Sequence, residues 1–518
     1  MASKSFLKLD HIPYLGVLFL TIAAYGPSQI FIYDMWDGVL ATAAFEKDSP
    51  ELVKNWIYEA AVHFNYFIYL LIYSITEITG ISLNIIYFAF SISIISVIGF
   101  EIFTLCKDAL QIDRTTSFIL SLIAVVSPSF TVITSSIMIF HFFCIASMLI
   151  GARLLARKTS LASLFIGILM LCISFGFKSN HLFSVAILAL NLQILDRFSL
   201  KTFKTLIQFS LFSVIYFLGY KTAFPTYGLY ETYNRILNPL DPEALNRIIF
   251  SFLGYVEYLK PSFIILACQI VLQLIIFRPN LHKKEIFTSF FVLLFALLSA
   301  VLPYVLVGKV PYSFDYTGWS MRLGLLTSLW FVLASAVIHK TLSFNHLSEG
   351  RALKLWWLNR SFLLTILVYF SFCLNVGNMY KFQTYSYHQD LQRLLSQLSL
   401  PVSGLLLVED PNYPYGEATI YESNRVFENS FKHNGYFGVI TSYTNKEVKI
   451  PKVLERDITY VRRYMFADYI KSDCEIFVSV ISEGYRAYHR DWLSNFPIPL
   501  WNMGKWKLTL NSVEYSNC

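Results

Sequence analysis

The stretch Tyr14–Tyr33, YLGVLFLTIAAYGPSQIFIY, decides the fold class of this chain because it contains no Asp, Glu, Lys or Arg. A helix of roughly 20 apolar residues can cross about 30 Å of hydrocarbon, since its backbone hydrogen bonds are all made within the segment. The run is too long for the core of a signal peptide and lacks a small-residue cleavage site. It therefore predicts a membrane helix that stays in the mature protein.

The whole composition agrees with this first stretch. Of the 518 residues, 55% are hydrophobic and only 14% are charged, which is too apolar for a soluble fold of this length. The formal charge of +7 comes from basic residues in short clusters between apolar runs, not from one basic face. This pattern argues against a nucleic-acid partner, and we interpret the clusters as signals of membrane topology.

Hydropathy predicts a polytopic α-helical membrane protein with about eleven spans. The spans are expected to begin near Tyr14, Ser82, Ser117, Ile137, Ser160, His181, Leu206, Phe263, Ile286, Met321 and Phe362. Basic residues mark alternate connections, for example Lys107 with Arg114 and Arg153 with Arg157. Because positive loops stay inside, the N-terminus is expected in the cytoplasm and the C-terminus outside.

The segment Ala60–Gly80 is apolar and aromatic, yet counting it as a span would reverse every later loop against its charges. We therefore predict that it lies in the membrane interface as an aromatic-rich helix. The first outward loop then covers residues 34–80 within a transmembrane domain of residues 1–378. Further outward connections are expected at Lys178–His181, from Lys221 to about Pro261, and at Lys309–Ser320.

Charged and turn-forming residues return from about Met379. Residues 379–518 are accordingly predicted to form a soluble extracytoplasmic α+β domain. The expected helices are Tyr387–Leu398 and Arg456–Ile470, and the expected strands are Gly404–Val408, Glu475–Ser482 and Lys505–Leu510.

Two carboxylates, Asp34 and Asp37, directly follow the first span, with Trp36 between them. A carboxylate at the membrane surface can act as a general base toward an acceptor hydroxyl. The alternative is a solvated loop beside an interfacial tryptophan, because tryptophan is common at this depth.

The order of these elements resembles the GT-C membrane glycosyltransferases, which include protein mannosyltransferases, aminoarabinose transferases and O-antigen glucosyltransferases. The shared features are one span, an outward loop opening with Asp34, the juxtamembrane-like stretch Phe67–Gly80, and a later span ending in Ser127-Pro128. The resemblance covers roughly the first 160 residues. It implies inverting transfer of a hexose or pentose from a polyprenyl phosphate donor to a glycan or lipid-linked acceptor, with Asp34 or Asp37 as the base.

Many members of this superfamily carry another acidic residue after the corresponding Ser-Pro, where this chain offers His141. This difference argues against a two-carboxylate metal site, although a divalent cation stays open as a cofactor. His141 is otherwise interpreted as a hydrogen-bonded residue at a helix start. No metal ligand set is assigned from the sequence.

A lipid phosphate needs positive charge at the outer surface, and we predict that Arg322, Lys178, Lys309 and Lys221 supply it. Each of these cations could instead be a helix-end side chain that reaches toward water. His181 and Asp315 are further candidates, and Asp315 could pair with Arg322.

Two other functions remain open. A transporter or flippase of lipid-linked glycan would share this topology, although it usually buries ionisable residues at mid-membrane. An O-antigen polymerase or ligase would place its large loop between late spans. The only Asn-x-Ser/Thr sequon, Asn359-Arg360-Ser361, lies in a predicted inside loop, which favours a bacterial inner membrane with a periplasmic C-terminal domain.

Overall fold

The computed structural model describes most of the chain up to residue 397 and four strands beyond it. The described residues are 11–31, 54, 57–58, 60–134, 138–157, 160–195, 199–227, 235–277, 283–311, 319–342, 349–397, 404–409, 436–441, 475–483 and 507–516. Asp34, Asp37 and Asp315 lie outside these residues.

The described part of the chain is built mainly from twelve helices. They are α1 (Ile12–Phe31), α2 (His63–Thr79), α3 (Leu83–Thr104), α4 (Arg114–Val125), α5 (Ile139–Arg157), α6 (Leu161–Ser174), α7 (Asn180–Asn191), α8 (Leu200–Ala223), α9 (Pro242–Phe277), α10 (Lys283–Val305), α11 (Leu325–Leu342) and α12 (Glu349–Ser396). A π-helical turn, Leu105–Ala109, follows α3, and two 3-10 segments, Pro128–Thr134 and Trp319–Gly324, precede α5 and α11.

Seven of the described helices are long and apolar enough to cross a membrane, namely α3, α5 and α8 to α12. Four further apolar helices, α1, α4, α6 and α7, are shorter by this criterion. The chain is therefore a helical membrane protein, while the count of eleven spans stays a prediction. The segment expected at Ala60–Gly80 is helical as α2, which ends at Gly80 in a left-handed conformation. Its placement in the interface also stays a prediction.

One expected loop is wrong in the structure. The sequence predicted an outward connection from Lys221 to about Pro261, but α9 already begins at Pro242 and continues through Pro261 to Phe277. Proline fits the first helical position because its missing N–H has no partner there in any case. The helix therefore extends about six turns before the predicted span start at Phe263.

The helices run between two ends that differ in charge. Three ion pairs mark one end, which we call the basic end: Glu101 with Arg153, Asp108 with Arg157, and Asp113 with Arg360. The other end, which we call the site end, holds the turn between α6 and α7 and the segment Trp319–Gly324. Helix α11 connects the two, from Leu325 to Leu342.

A polar group joins three helices near the basic end. The amide Nε2 of Gln273 in α9 donates to Asn359 Oδ1 in α12 at 3.1 Å, and Asn359 Nδ2 lies 3.0 Å from Nδ1 of His339 in α11. One turn away, Gln269 and Ser335 exchange two hydrogen bonds between α9 and α11. Inside a membrane such bonds give helix contacts a direction that apolar packing lacks.

The four described strands of the C-terminal region form one mixed sheet in the order β2-β1-β3-β4. They are β1 (Gly404–Glu409), β2 (Tyr436–Thr441), β3 (Glu475–Glu483) and β4 (Lys507–Ser516). β1 pairs in parallel with β2 and β3, and β3 pairs antiparallel with β4. The expected strands match β1, β3 and the start of β4, whereas β2 was missed. The predicted helix Tyr387–Leu398 forms the end of α12, and Arg456–Ile470 lies outside the described residues.

The Asp113–Arg360 pair should contribute more to stability than the exposed pair Asp108–Arg157. Arg360 is 5% exposed, and Asp113 also accepts from the backbone N–H of Thr116. We expect Asp113→Asn to lower the free energy of unfolding by about 1–2 kcal/mol, against less than about 1 kcal/mol for the control Asp108→Asn. Thermal unfolding of the purified protein in detergent measures both.

The same pair predicts the pH dependence of stability. Burial alone would raise the pKa of Asp113, but hydrogen bonds from Thr116 and Arg360, with the Arg360 charge, lower it overall. A lowered pKa stabilises the folded state above the ordinary value of about 4 and loses that contribution as the pH falls through the folded value. Asp113→Asn should remove this acid-dependent loss. Equal pH profiles for wild type and variant would contradict the assignment.

Candidate functional site

The site end is organised around the turn between α6 and α7, residues Phe175–Ser179, which we call the α6–α7 turn. Asn180 fixes its geometry by donating from Nδ2 to the carbonyl of Ser174 at 3.1 Å. Gly176 lies against the ring of Phe140, where an added Cβ would come within 2.6 Å of the ring. The turn is therefore held tightly between α5 and the start of α7.

Two histidines that the sequence analysis named as candidate site residues contact the aromatic rings of this turn. His181 stacks on Phe175 with ring centroids 4.2 Å apart, and its Nδ1 lies 3.1 Å from Ser213 Oγ. His141, in the first turn of α5, contacts the ring of Phe177 at 4.8 Å. His181 is buried and His141 half-buried. Both histidines therefore pack against the phenylalanines of the turn, as residues that support its shape would.

Two of the predicted cations lie at the site end. Lys178 lies in the turn and Lys221 in the last turn of α8. Removal from water lowers the pKa of Lys178, and the positive charge of Lys221 lowers it further.

Tyr304 lies between the α6–α7 turn and the region of Arg322. The hydroxyl of Tyr304, near the end of α10, lies close to Ser179, and Arg322 is near enough for its charge to influence that hydroxyl. Lys178, Lys221 and Arg322 therefore lie at the same end of the helix bundle.

Two tyrosines of α9 hold the 3-10 segment that carries Arg322. The hydroxyl of Tyr255 donates to the carbonyl of Leu323 at 3.1 Å. Tyr258 packs on Gly324, where a Cβ would lie 2.2 Å from its hydroxyl oxygen, so only glycine permits this approach. The contacts of Tyr255 and Tyr258 therefore hold the backbone beside Arg322 in one conformation.

Lys309 follows α10 in a compact turn. Its backbone N–H donates to the carbonyl of Tyr304 at 3.0 Å, and Gly308 before it has a φ of +71°. The guanidinium of Arg247 lies over Gly308. Arg247 is thus a fifth cation at this end, and the sequence analysis did not identify it.

Residues 61–63 contact the end of α8 through Tyr220, the neighbour of Lys221 in the sequence. The hydroxyl of Tyr220 donates to the carbonyl of Ala61 at 3.1 Å, and its oxygen lies 3.1 Å from Nδ1 of His63. Because the hydroxyl hydrogen goes to Ala61, Nδ1 of His63 must be the donor in the second contact. Partial burial lowers the pKa of His63, which favours the neutral ring.

Within the described residues, no group of three or more His, Cys, Asp or Glu side chains could hold a metal ion. Since Asp34, Asp37 and Asp315 lie outside those residues, the cofactor prediction stays open.

No protein-family model matches the chain, and no curated protein matches it. The interpretation of the site therefore depends on its geometry and on the sequence.

Sequence reasoning found the cations at this end and missed the tyrosines that arrange them. Tyr220, Tyr255 and Tyr304 act through contacts between helices distant in sequence, which no local pattern reveals. The available signal was their position, since all lie near predicted outer ends of apolar runs, where tyrosine is enriched.

Tyr220→Phe should loosen residues 61–66, because it removes the hydrogen bonds to Ala61 and His63. Amide hydrogen exchange at these residues should become roughly five- to thirtyfold faster, as expected for one to two bonds of about 1 kcal/mol each. Tyr216→Phe is the matched control. Tyr216 lies one helical turn before Tyr220 in α8, and its hydroxyl donates to the carbonyl of Cys172. Equal exchange at residues 61–66 in both variants would refute this anchoring role.

Proposed function

We propose that this chain is a membrane glycosyltransferase that moves a sugar from a polyprenyl phosphate donor to a glycan or lipid-linked acceptor. The observation that carries the proposal is the placement of Lys178, Lys221 and Arg322 at the same end of the helix bundle. Cations at one membrane surface suit a phosphate. Ala61, which follows Asp34 and Asp37 in the chain, is bonded to Tyr220 at this end.

In the proposed reaction, Asp34 or Asp37 takes the proton of an acceptor hydroxyl. The acceptor oxygen then forms a bond to the anomeric carbon while the bond from that carbon to the phosphate oxygen breaks. The electron pair leaves with the polyprenyl phosphate, and Lys178, Lys221 and Arg322 stabilise the negative charge that develops there. Attack opposite the leaving group inverts the configuration.

We further propose that the basic end faces the cytoplasm and the site end the periplasm of a bacterial inner membrane. The basic clusters Lys107 with Arg114 and Arg153 with Arg157 lie at or beside the basic end, which suits the positive-inside rule. The acceptor would then meet the enzyme outside, and the C-terminal sheet region would take part in acceptor recognition.

The enzyme is favoured over a transporter or flippase by the polar contacts of the basic end. The Glu101–Arg153 pair is bidentate, at 2.7 and 2.8 Å, and joins α3 to α5. Together with the Gln273–Asn359–His339 contacts, it places these polar groups near the basic end, whereas transporters usually bury ionisable residues at mid-membrane.

Asp34→Asn is expected to abolish sugar transfer, because an amide cannot accept the proton at neutral pH. Transfer is measured in membrane vesicles with labelled polyprenyl phosphate sugar, after insertion has been verified by immunoblot of the membrane fraction. Asp37→Asn is the matched variant. Full activity of Asp34→Asn with loss in Asp37→Asn would move the base to Asp37, and full activity of both would refute the mechanism.

Arg322→Ala is expected to raise the KM for the donor roughly tenfold or more, the range of a lost charge-assisted hydrogen bond, and to change the KM for the acceptor little. Arg247→Ala is the control, because Arg247 is an exposed cation of the same end that packs on Gly308. Equal effects on donor and acceptor, or equal effects of both variants, would count against a phosphate role for Arg322.

A further inference from the structure

His63 is the first residue of α2, and its imidazole ring is held by contacts from two segments of the chain. The ring of Tyr58, shortly before α2, has its centroid 4.5 Å from that of His63. The ring of Phe224, directly after α8, lies 4.7 Å from the imidazole, and the Tyr220 hydroxyl lies 3.1 Å from its Nδ1. These contacts fix the place of the ring before any ligand binds.

The hydrogen bonds of Tyr220 also decide which nitrogen of His63 carries the hydrogen. The Tyr220 hydroxyl donates to the carbonyl of Ala61, so Nδ1 of His63 donates to the hydroxyl oxygen. Partial burial lowers the pKa of His63, which favours the neutral ring at neutral pH. In a neutral imidazole one nitrogen is a donor and the other is an acceptor. Nε2 of His63 therefore carries a lone pair that can accept a hydrogen bond.

The anchoring of α2 to α8 uses Nδ1 alone. An asparagine side chain could donate to Tyr220 in the same way, and an apolar ring could pack against Tyr58 and Phe224. What histidine adds is the acceptor at Nε2. The ring is only half-buried, and Phe224 beside it is 45% exposed, so this acceptor belongs to an open part of the site end.

The chemistry around Nε2 selects the kind of group that it binds. A carboxylate or a phosphate dianion has no hydrogen to donate to a lone pair. An ammonium group could donate, but the positive charges of Lys178 and Lys221 at the same end disfavour a cation. A hydroxyl donates without bringing a charge, and the C–H face of a sugar ring suits the exposed ring of Phe224. The surroundings therefore favour a carbohydrate hydroxyl.

We propose that Nε2 of His63 accepts a hydrogen bond from a hydroxyl of the carbohydrate substrate. The inference rests on the proposed function, to which it adds a substrate-binding residue. His63 orients the carbohydrate, while Asp34 or Asp37 remains the proposed base. Because the ring is positioned in advance, the bond forms without reordering of the protein.

The first test observes the imidazole directly and requires no reaction. The full chain, labelled with ¹⁵N at histidine, is studied by NMR in phosphatidylcholine nanodiscs, whose head groups lack hydroxyls. His63→Asn identifies the signals of His63. We expect Nδ1 to be protonated and Nε2 unprotonated at neutral pH, and a ring protonated at Nε2 would overturn the inference.

Decyl maltoside, below the concentration at which it forms micelles, then serves as the hydroxyl-bearing probe. Decyl dimethylamine oxide is the control, because it has the same chain and no hydroxyl. We expect the Nε2 signal of His63 to shift with the maltoside alone. No shift, or the same shift with both, would overturn the inference, and an equal shift in phosphatidylglycerol nanodiscs without maltoside would assign a lipid head group instead.

The second test measures transfer in membrane vesicles. His63→Asn keeps a donor for Tyr220 and removes the acceptor, so it should raise the KM for the donor or the acceptor substrate roughly two- to tenfold, as expected for one hydrogen bond. Hydrogen exchange at residues 61–66 should stay unchanged, which separates this effect from loss of anchoring. His63→Gln, whose amide oxygen can reach the position of Nε2, should recover part of the affinity.

The outcomes separate this inference from the proposed function. Unchanged KM values for both substrates in His63→Asn, with normal transfer by the wild type, would overturn the inference and leave the proposed function standing. No transfer by the wild type, with the protein present in the membrane, would overturn the proposed function. The NMR titration would then still decide whether Nε2 accepts a hydroxyl.

Discussion

The structure depends on one constraint, that charged groups are costly within hydrocarbon and must be paired or moved to the ends of the helices. At the basic end this requirement is met by pairing. Glu101 and Asp113 each face an arginine from a distant helix, so the pairs also fix how α3, α5, α4 and α12 pack. At the site end Lys178 and Lys221 lie where helices end, and Tyr255 and Tyr258 hold the segment of Arg322. The two ends therefore differ in what they offer a ligand.

Much of the membrane part could be predicted because its signals are local. An apolar run needs no distant partner to become a helix in lipid, since its backbone bonds are internal. The helical character of residues 60–80 and the clustering of Arg153 and Arg157 at a shared end follow from such signals. The length of α9 does not, because Pro261 reads as a helix break while the observed helix continues through it.

The site was only partly predictable for the same reason. The cations Lys178, Lys221 and Arg322 stood out because positive charge is unusual at a predicted outer surface. The tyrosines and glycines that arrange them did not stand out. Gly324 is required by the hydroxyl of Tyr258 and Gly176 by the ring of Phe140, contacts between segments far apart in sequence. β2 was missed for a local reason, since Gly438 interrupts its short run of strand-forming residues.

The arrangement of rigid and loop-borne groups suits the proposed chemistry. Cations that stabilise a leaving phosphate act best when they are held before the ligand arrives, because no reorganisation is then needed in the transition state. The α6–α7 turn and the segment beside Arg322 meet this condition through the contacts of Asn180, Tyr255 and Gly324. The proposed bases Asp34 and Asp37 lie outside the described residues, and the nearest described link to this end is the bond from Tyr220 to Ala61. A chemistry of this kind would therefore combine cations held in advance by the bundle with a base supplied from the segment that precedes α2.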